Sequence, residues 1–275
     1  MNYSLLINEI IKTYKDNPID LMGIGAGDYE YYYLNSLKYA YVRTIKDVTP
    51  LLENGAKILE IGSLLGVVSI ALTQLGYGVT GTDIPEFYAS VRLQELYKKN
   101  NIGFDKVNLH NYHLPYPDES FDMVIMCEVL EHLNFNPLPI LQEIGRILKK
   151  GGYIYIAMPN LACIDNRVKL LVGRSIHHPI QYFFDQLDSN KNIIVSRHWK
   201  EYTMSEAVEM VDRMGFDIVK KYYFSENGPR KEGIIKAIFR FLFHLLPAFR
   251  LSLVVIGKKK EKLPVYNFRF TESVL

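Results

Sequence analysis

The stretch Lys57-Ile58-Leu59-Glu60-Ile61-Gly62-Ser63-Leu64-Leu65-Gly66, with Asp83 downstream, decides the fold. A short apolar run with one embedded carboxylate reads as a buried strand, Lys57 to Ile61. Gly62 and Gly66 read as a tight turn into a helix over about 67–75. Gly76-Tyr77-Gly78 then returns the chain to a second strand, Val79 to Thr82, which ends at Asp83. A strand, a glycine turn and a helix N-terminus bring backbone N–H groups close to a ligand. An acid at the end of the next strand can accept hydrogen bonds from both hydroxyls of a ribose. A pyrophosphate site would call for Gly-x-Gly-x-x-Gly. The spacing here is Gly62-x-x-x-Gly66, with Glu60 in the strand end, which suits a cationic ligand better.

Outward from that unit, the alternation continues. A helix is expected over 86–100, a weak strand over 106–109 and a strongly apolar strand over 121–127. A helix over 138–149 is stopped by Gly151-Gly152, and a strand over 153–158 is closed by Pro159. Such alternation implies a parallel sheet with helices on both faces. About forty aromatic and basic residues then interrupt the pattern. It resumes with a helix over 203–214, a strand over 216–224, a helix over 232–246 and a strand over 251–256. Residues 1–50 read mostly as helix, broken at Asn17-Pro18 and by Gly23-Ile24-Gly25-Ala26-Gly27. That second glycine run has no convincing strand before it and reads as a turn or hinge. The expected organisation is a helical N-terminal cap over 1–50 and one α/β domain over 51–275, with a lid insert at about 161–202.

Composition narrows the function. The chain has 275 residues, 48% hydrophobic and 23% charged, which excludes a disordered or low-complexity chain. Two cysteines, Cys127 and Cys163, exclude a disulfide scaffold and point to a reducing compartment, so the expected location is the cytoplasm. No signal peptide or uninterrupted apolar run of spanning length is visible. A formal charge of +2 gives no strong nucleic-acid signal. The 232–246 segment carries a wide apolar arc with a stripe formed by Lys236, Arg240 and His244. It is expected to be a core helix, with an interfacial membrane contact as the alternative.

Several further motifs stand in order after the first. Leu114-Pro115-Tyr116-Pro117-Asp118-Glu119-Ser120-Phe121-Asp122 precedes the fourth strand. Cys127-Glu128-Val129-Leu130-Glu131-His132-Leu133 follows it. Leu148-Lys149-Lys150-Gly151-Gly152-Tyr153 leads to Met158-Pro159-Asn160. Over about 55–160 the chain resembles the class I S-adenosylmethionine-dependent methyltransferases, and is similar to those of the ubiquinone pathway. Leu246-Pro247-Ala248-Phe249-Arg250 adds a softer resemblance to bacterial surface-polysaccharide methyltransferases. The resemblance implies a Rossmann-like, seven-stranded, mostly parallel sheet with an antiparallel last strand. It also implies methyl transfer from S-adenosyl-L-methionine, giving S-adenosyl-L-homocysteine, to a small-molecule, glycan or glycolipid acceptor, most simply at oxygen. Residues matching the family's cofactor positions are Glu60, Gly62, Ser63, Gly66, Asp83, Asn111 and Cys127. The chain departs from the family at Leu64, where a glycine is usual, and before Leu114, where an acid is usual and His110 and Asn111 stand.

A hydroxyl acceptor must lose its proton, and His132 and His198 are the expected catalytic groups. Acceptor contacts are expected from Tyr32, Glu128, Glu131, Tyr182, Trp199 and Tyr202. If 128–132 is helical, Glu128, Glu131 and His132 share one face. With His198 they would form a divalent-metal platform like that of metal-dependent RNA 2′-O-methyltransferases. The favoured expectation is that no metal is needed. The remaining alternative, prompted by Leu64, is a non-catalytic cofactor-binding protein.

Overall fold

The computed structural model describes residues 2–20, 29–177, 179–181, 184, 197–225, 241 and 245–266. Two helices, α1 (Tyr3–Asp16) and α2 (Tyr29–Val48), precede the sheet. The Asn2 side chain accepts from the Ser4 and Leu5 amides and caps α1. Ile7, Ile10, Ile11 and Tyr14 recur at helical spacing and are the buried face of α1.

The alternating part follows as β1 (Lys57–Ile61), α3 (Val67–Gln74), β2 (Gly78–Asp83), α4 (Pro85–Tyr88), α5 (Val91–Lys99), β3 (Gly103–Lys106) and β4 (Phe121–Cys127). It ends with α6 (Leu138–Ile147), β5 (Leu148–Pro159), α7 (Ile164–Leu171), α8 (Met204–Arg213), β6 (Phe216–Phe224) and β7 (Ser252–Lys259). The seven strands form one sheet in the order β3-β2-β1-β4-β5-β7-β6. The first five run parallel, and β7 is antiparallel to both β5 and β6.

Side-chain alternation along the strands feeds two cores. On β4, Met123 and Ile125 join Ile58 and the α1–α3 helices in one cluster. Val124 and Met126 join Leu59, Ile140, Ile144 and Val211 in the other. The strand order reverses at β1 and β4, so their carboxyl ends open a crevice, where open α/β sheets bind ligands.

Three expected boundaries move. The third strand lies at 103–106, not 106–109. Asn108 accepts from the His110 amide and curls Leu109–Asn111 into a 3-10 turn, so the apolar residues there fill the core outside the sheet. The 86–100 helix is two helices, because Ser90 leaves helical geometry and its hydroxyl caps α5. The helix over 138–149 ends at Ile147, and Gly151-Gly152 sit inside β5 beside a register shift opposite β4. Gly151 has φ +71°, and a Cβ on Gly152 would meet the Asp122 and Lys149 carbonyl oxygens at 3.0 Å, so these glycines serve a bulge, not a helix stop. Gly23 to Gly27 and most of 232–246 lie outside the described residues. No helix among the described residues is long and apolar enough to cross a membrane.

Candidate active site

The turn between β1 and α3 is left-handed at three points, Gly62 (φ 72°), Leu64 (φ 45°) and Gly66 (φ 68°). Glycine takes such angles at no steric cost, whereas a leucine is strained there. Backbone bonds hold the turn: the Gly62 and Ser63 amides donate to the Thr82 carbonyl at 2.9 and 3.0 Å. The Leu64 amide donates to Asp83 Oδ2 at 2.7 Å, and the Ile84 amide to Asp83 Oδ1 at 2.8 Å. Tyr97 Oη donates to Ser63 Oγ at 2.7 Å, and Tyr14 of α1 donates its hydroxyl to the Leu65 carbonyl.

Two carboxyls lie at the strand ends behind this turn. Burial pushes Glu60 up to about 7, against the pull of the Ser69 hydroxyl that bonds it. Burial pushes Asp83 up to about 6, against the two amides that bond it. An acid so placed gains from a ligand that donates to it or carries positive charge.

The turn, the carboxyl ends of β1, β2 and β4 and the inner face of α2 enclose a cavity of about 600 Å³. Glu60, Gly62, Ser63, Gly66, Asp83 and Cys127, the residues expected at the cofactor, all line it. Asn111 does not. The 3-10 turn leaves it exposed, and Asn108 and His110 line the cavity instead. Along α2 the lining residues Glu30, Tyr33, Leu34, Leu37 and Tyr41 keep one helical face, and Tyr32 points away at 65% exposed.

His132, His198 and Glu128 also line the cavity, at the end of β4. The 128–132 segment is not an α-helix. Glu128 is left-handed at φ 54°, and Leu130–His132 is a single 3-10 turn. Glu128 therefore faces the cavity while Glu131 is fully buried behind it. The two imidazoles are brought together across 65 intervening positions of chain, with ring centres 5.1 Å apart. His132 Nδ1 lies 2.8 Å from the Arg197 carbonyl, so Nδ1 carries the hydrogen and Nε2 is the acceptor. His198 Nδ1 bonds Glu201 Oε1 at 2.9 Å, and Asn166 Nδ2 donates to Glu201 Oε2 at 2.7 Å. The hydrogen bond that His198 donates to Glu201 raises the His198 pKa, outweighing burial. Burial works against ionised Glu201, but His198 and Asn166 hold it below the usual carboxylate range. Burial pushes Glu131 up to about 7, against its own amide, the His198 charge and a hydrogen bond from Glu128. Glu131, His132 and His198 each place one ligand atom within 4.8 Å of the others.

The other expected acceptor contacts fall elsewhere. Trp199 is 39% exposed and off the cavity; its amide donates to the Glu131 carbonyl. Tyr202 is 6% exposed, packed in the second core and bridged to Asn160. Tyr182 lies outside the described residues. Sequence reading missed Asn108, Asn166 and Glu201. Only Glu201 left a signal, an acid three residues after a histidine.

A family model described as "Methyltransferase domain" matches residues 59–156. The chain is 34% identical over 131 residues to a ubiquinone biosynthesis O-methyltransferase of Glaesserella parasuis, covering 46% of this chain and 53% of the relative. It is 29% identical over 107 residues to one of Thiobacillus denitrificans, covering 38% and 45%. The chain thus spans about half the length of these curated relatives. The fold matches a methyltransferase structure from Thermotoga maritima with a TM-score of 0.53 at 20% identity, covering 91% of this chain and all of that one. It matches a second from Archaeoglobus fulgidus with a TM-score of 0.54 at 17% identity, covering 83% and all of that chain. The matched segment carries the ordered motifs that line one cavity at the strand order's reversal, so over residues 59–156 this chain is similar to a methyltransferase domain.

Proposed function

We propose that the chain methylates a hydroxyl oxygen of a small-molecule acceptor, with S-adenosylmethionine as donor. The described residues fit that cofactor. Each Asp83 oxygen uses one lone pair on a backbone amide and keeps capacity for a ribose hydroxyl. Glu60 adds a second buried acid beside a cationic ligand, and Asn108 and His110 give the cavity polar atoms for a base edge. When bound, the cofactor supplies an activated methyl on a sulfonium, so alignment of the nucleophile provides much of the rate.

The observation that carries the reading is the His132–His198 pair at the cavity wall. The Arg197 carbonyl fixes His132 in the tautomer whose Nε2 accepts a proton, so His132 is assigned as the base. His132 Nε2 would take the acceptor's O–H proton as that oxygen turns nucleophilic, and the cofactor would supply the activated methyl group. Glu201 favours the charged form of His198, which suits a donor that orients the acceptor oxygen. The relatives' printed names support oxygen as the target. The test is formation of S-adenosylhomocysteine with a panel of catechols, phenols, glycosides and glycolipids. Turnover of a hydroxylated member, with kcat lost in His132→Gln and cofactor affinity kept, is expected. Turnover of amines alone would overturn the assignment.

A second reading has one specific support. Both imidazoles are oriented through Nδ1 by partners outside the cluster, as in metal-bound histidines, and they converge with buried Glu131. In that reading Glu131, His132 and His198 hold a divalent ion that lowers the hydroxyl pKa. Loss of activity in EDTA, restored by a divalent salt, selects this reading. Full activity in EDTA selects the base.

A further inference from the structure

We propose that Tyr14 of α1 and Tyr97 of α5 are positioning residues that lock the left-handed Leu64 turn in the form that presents its amide to Asp83. The inference rests on the reading that this turn and Asp83 hold S-adenosylmethionine. Leu64 is the non-glycine among the three left-handed positions of the turn. A side chain keeps such an angle where its surroundings over-determine it. Relaxing φ at Leu64 would rotate the Ser63–Leu64 peptide plane. That rotation would carry the Leu64 amide off Asp83 Oδ2, which it meets at 2.7 Å. It would also carry the Ser63 carbonyl off the Gly66 amide, again at 2.7 Å. The turn therefore needs ties that hold it against its own leucine.

The two tyrosines supply such ties from outside the cavity. Neither lines it, and they are 2% and 1% exposed. Tyr14 donates its hydroxyl to the Leu65 carbonyl. Tyr97 Oη donates to Ser63 Oγ at 2.7 Å and lies 3.3 Å from the Leu64 carbonyl oxygen. Leu64 and both of its neighbours are thus gripped. The Tyr97 ring sits in a built slot. A Cβ on Gly81 of β2 would meet its Cε1 at 2.6 Å, and a Cβ on Gly66 would meet its Cζ at 3.1 Å. Phe104 of β3 stacks on the ring with centres 4.1 Å apart. Packing alone would accept phenylalanine at both places, because a buried hydroxyl costs free energy unless it is bonded. Burial first, and the neighbouring Glu60 second, push both phenols up, so each stays protonated as a donor. The N-terminal cap is in this way part of the cofactor site, reached through Tyr14 across a sequence separation of 51.

The test is a double-variant cycle in the full chain. Tyr14→Phe and Tyr97→Phe are each made in the parent and in Leu64→Gly. Amide hydrogen exchange at residue 64 is read by NMR without cofactor, and S-adenosylmethionine affinity by calorimetry. Each phenylalanine variant is expected to lose about fivefold or more, both in protection at residue 64 and in affinity. In the Leu64→Gly background the backbone takes the left-handed angle without strain, so the same losses should shrink to about twofold or less. Protection unchanged in both phenylalanine variants overturns the proposal. So does an equal loss in the two backgrounds, because the hydroxyls would then be packing groups with no bearing on the leucine. Urea melts check folding. Tyr97→Phe that folds in the Leu64→Gly background alone supports the proposal, and if it folds in neither, the Tyr14 cycle decides. A parent chain that binds no S-adenosylmethionine would sink the donor reading, while the exchange cycle, run without cofactor, still decides this one.

Discussion

Leu64 occupies a left-handed position whose amide is committed to Asp83. A side chain there costs ~1–2 kcal/mol relative to glycine, and glycine's looser unfolded chain offsets ~0.5–1 kcal/mol. Leu64→Gly should therefore fold with near-parental stability and bind S-adenosylmethionine at least as tightly. Leu64→Val, β-branched at the same φ, should be the less stable variant. Weaker binding in the glycine variant would show that the leucine is an apolar wall for the ligand. Asp83 presents the opposite case, a buried acid whose value lies in what it accepts. Asp83→Asn should lose ~1.5–3 kcal/mol of cofactor affinity by calorimetry, as for a bond to a charged group. An unchanged affinity in the folded variant would move the ribose away from Asp83. At this scale the sequence was informative where a residue type is required by backbone geometry, as at Gly62 and Gly66. It misplaced Asn111 because one 3-10 turn, capped by Asn108, decides which neighbour faces the cavity.

At the scale of elements, long apolar strands were readable because β1 and β4 are buried on both faces, so nearly every residue reports its environment. Element ends were less readable. Ser90 and Gly151-Gly152 act through side-chain capping and a bulge that an apolar pattern does not carry. The 128–132 segment shows the consequence for chemistry. Helical spacing put two acids and a histidine on one face, but the left-handed Glu128 lines the cavity in front of buried Glu131, to which it hydrogen-bonds. The link from α7 to His198 was invisible for the same reason, since Asn166 and Glu201 meet only through tertiary packing. It yields a sharp expectation. Glu201 raises the His198 pKa, so Glu201→Gln should lower it. An NMR titration of the His198 ring should show the shift, and the activity profile should move toward lower pH. An unmoved His198 titration would leave Glu201 with a packing role alone.

At the scale of the whole molecule, four groups among the described residues, Glu60, Asp83, Glu131 and His198, are all shifted toward holding a proton. Glu60 and Glu131 are pushed up to about 7 and Asp83 up to about 6, each chiefly by burial, and Glu201 raises His198. A group whose pKa rises on folding binds its proton more tightly in the folded chain. Its contribution to stability is complete below its unfolded pKa and is lost as pH climbs through the folded one. For the three acids that window runs from ~4 to ~7, and the raised His198 contributes with the same sign. The acids held low, Asp122, Glu143 and Glu206 by their partners and Glu201 by His198, work below that window and leave its slope alone. The cofactor-free chain should therefore be less stable to urea at pH 8 than at pH 5, with each unit of raised pKa worth ~1.4 kcal/mol. S-adenosylmethionine carries positive charge and ribose hydroxyls, both of which favour ionised Glu60 and Asp83. Its stabilising effect at a fixed excess should accordingly grow from pH 5 to pH 8, narrowing the gap. Urea melts at the two pH values, with and without the cofactor, check both halves. Stability that is flat or rising with pH in the cofactor-free chain would mean that these acids are solvated before any ligand arrives. The cavity would then have to select its cofactor by shape instead of by buried charge.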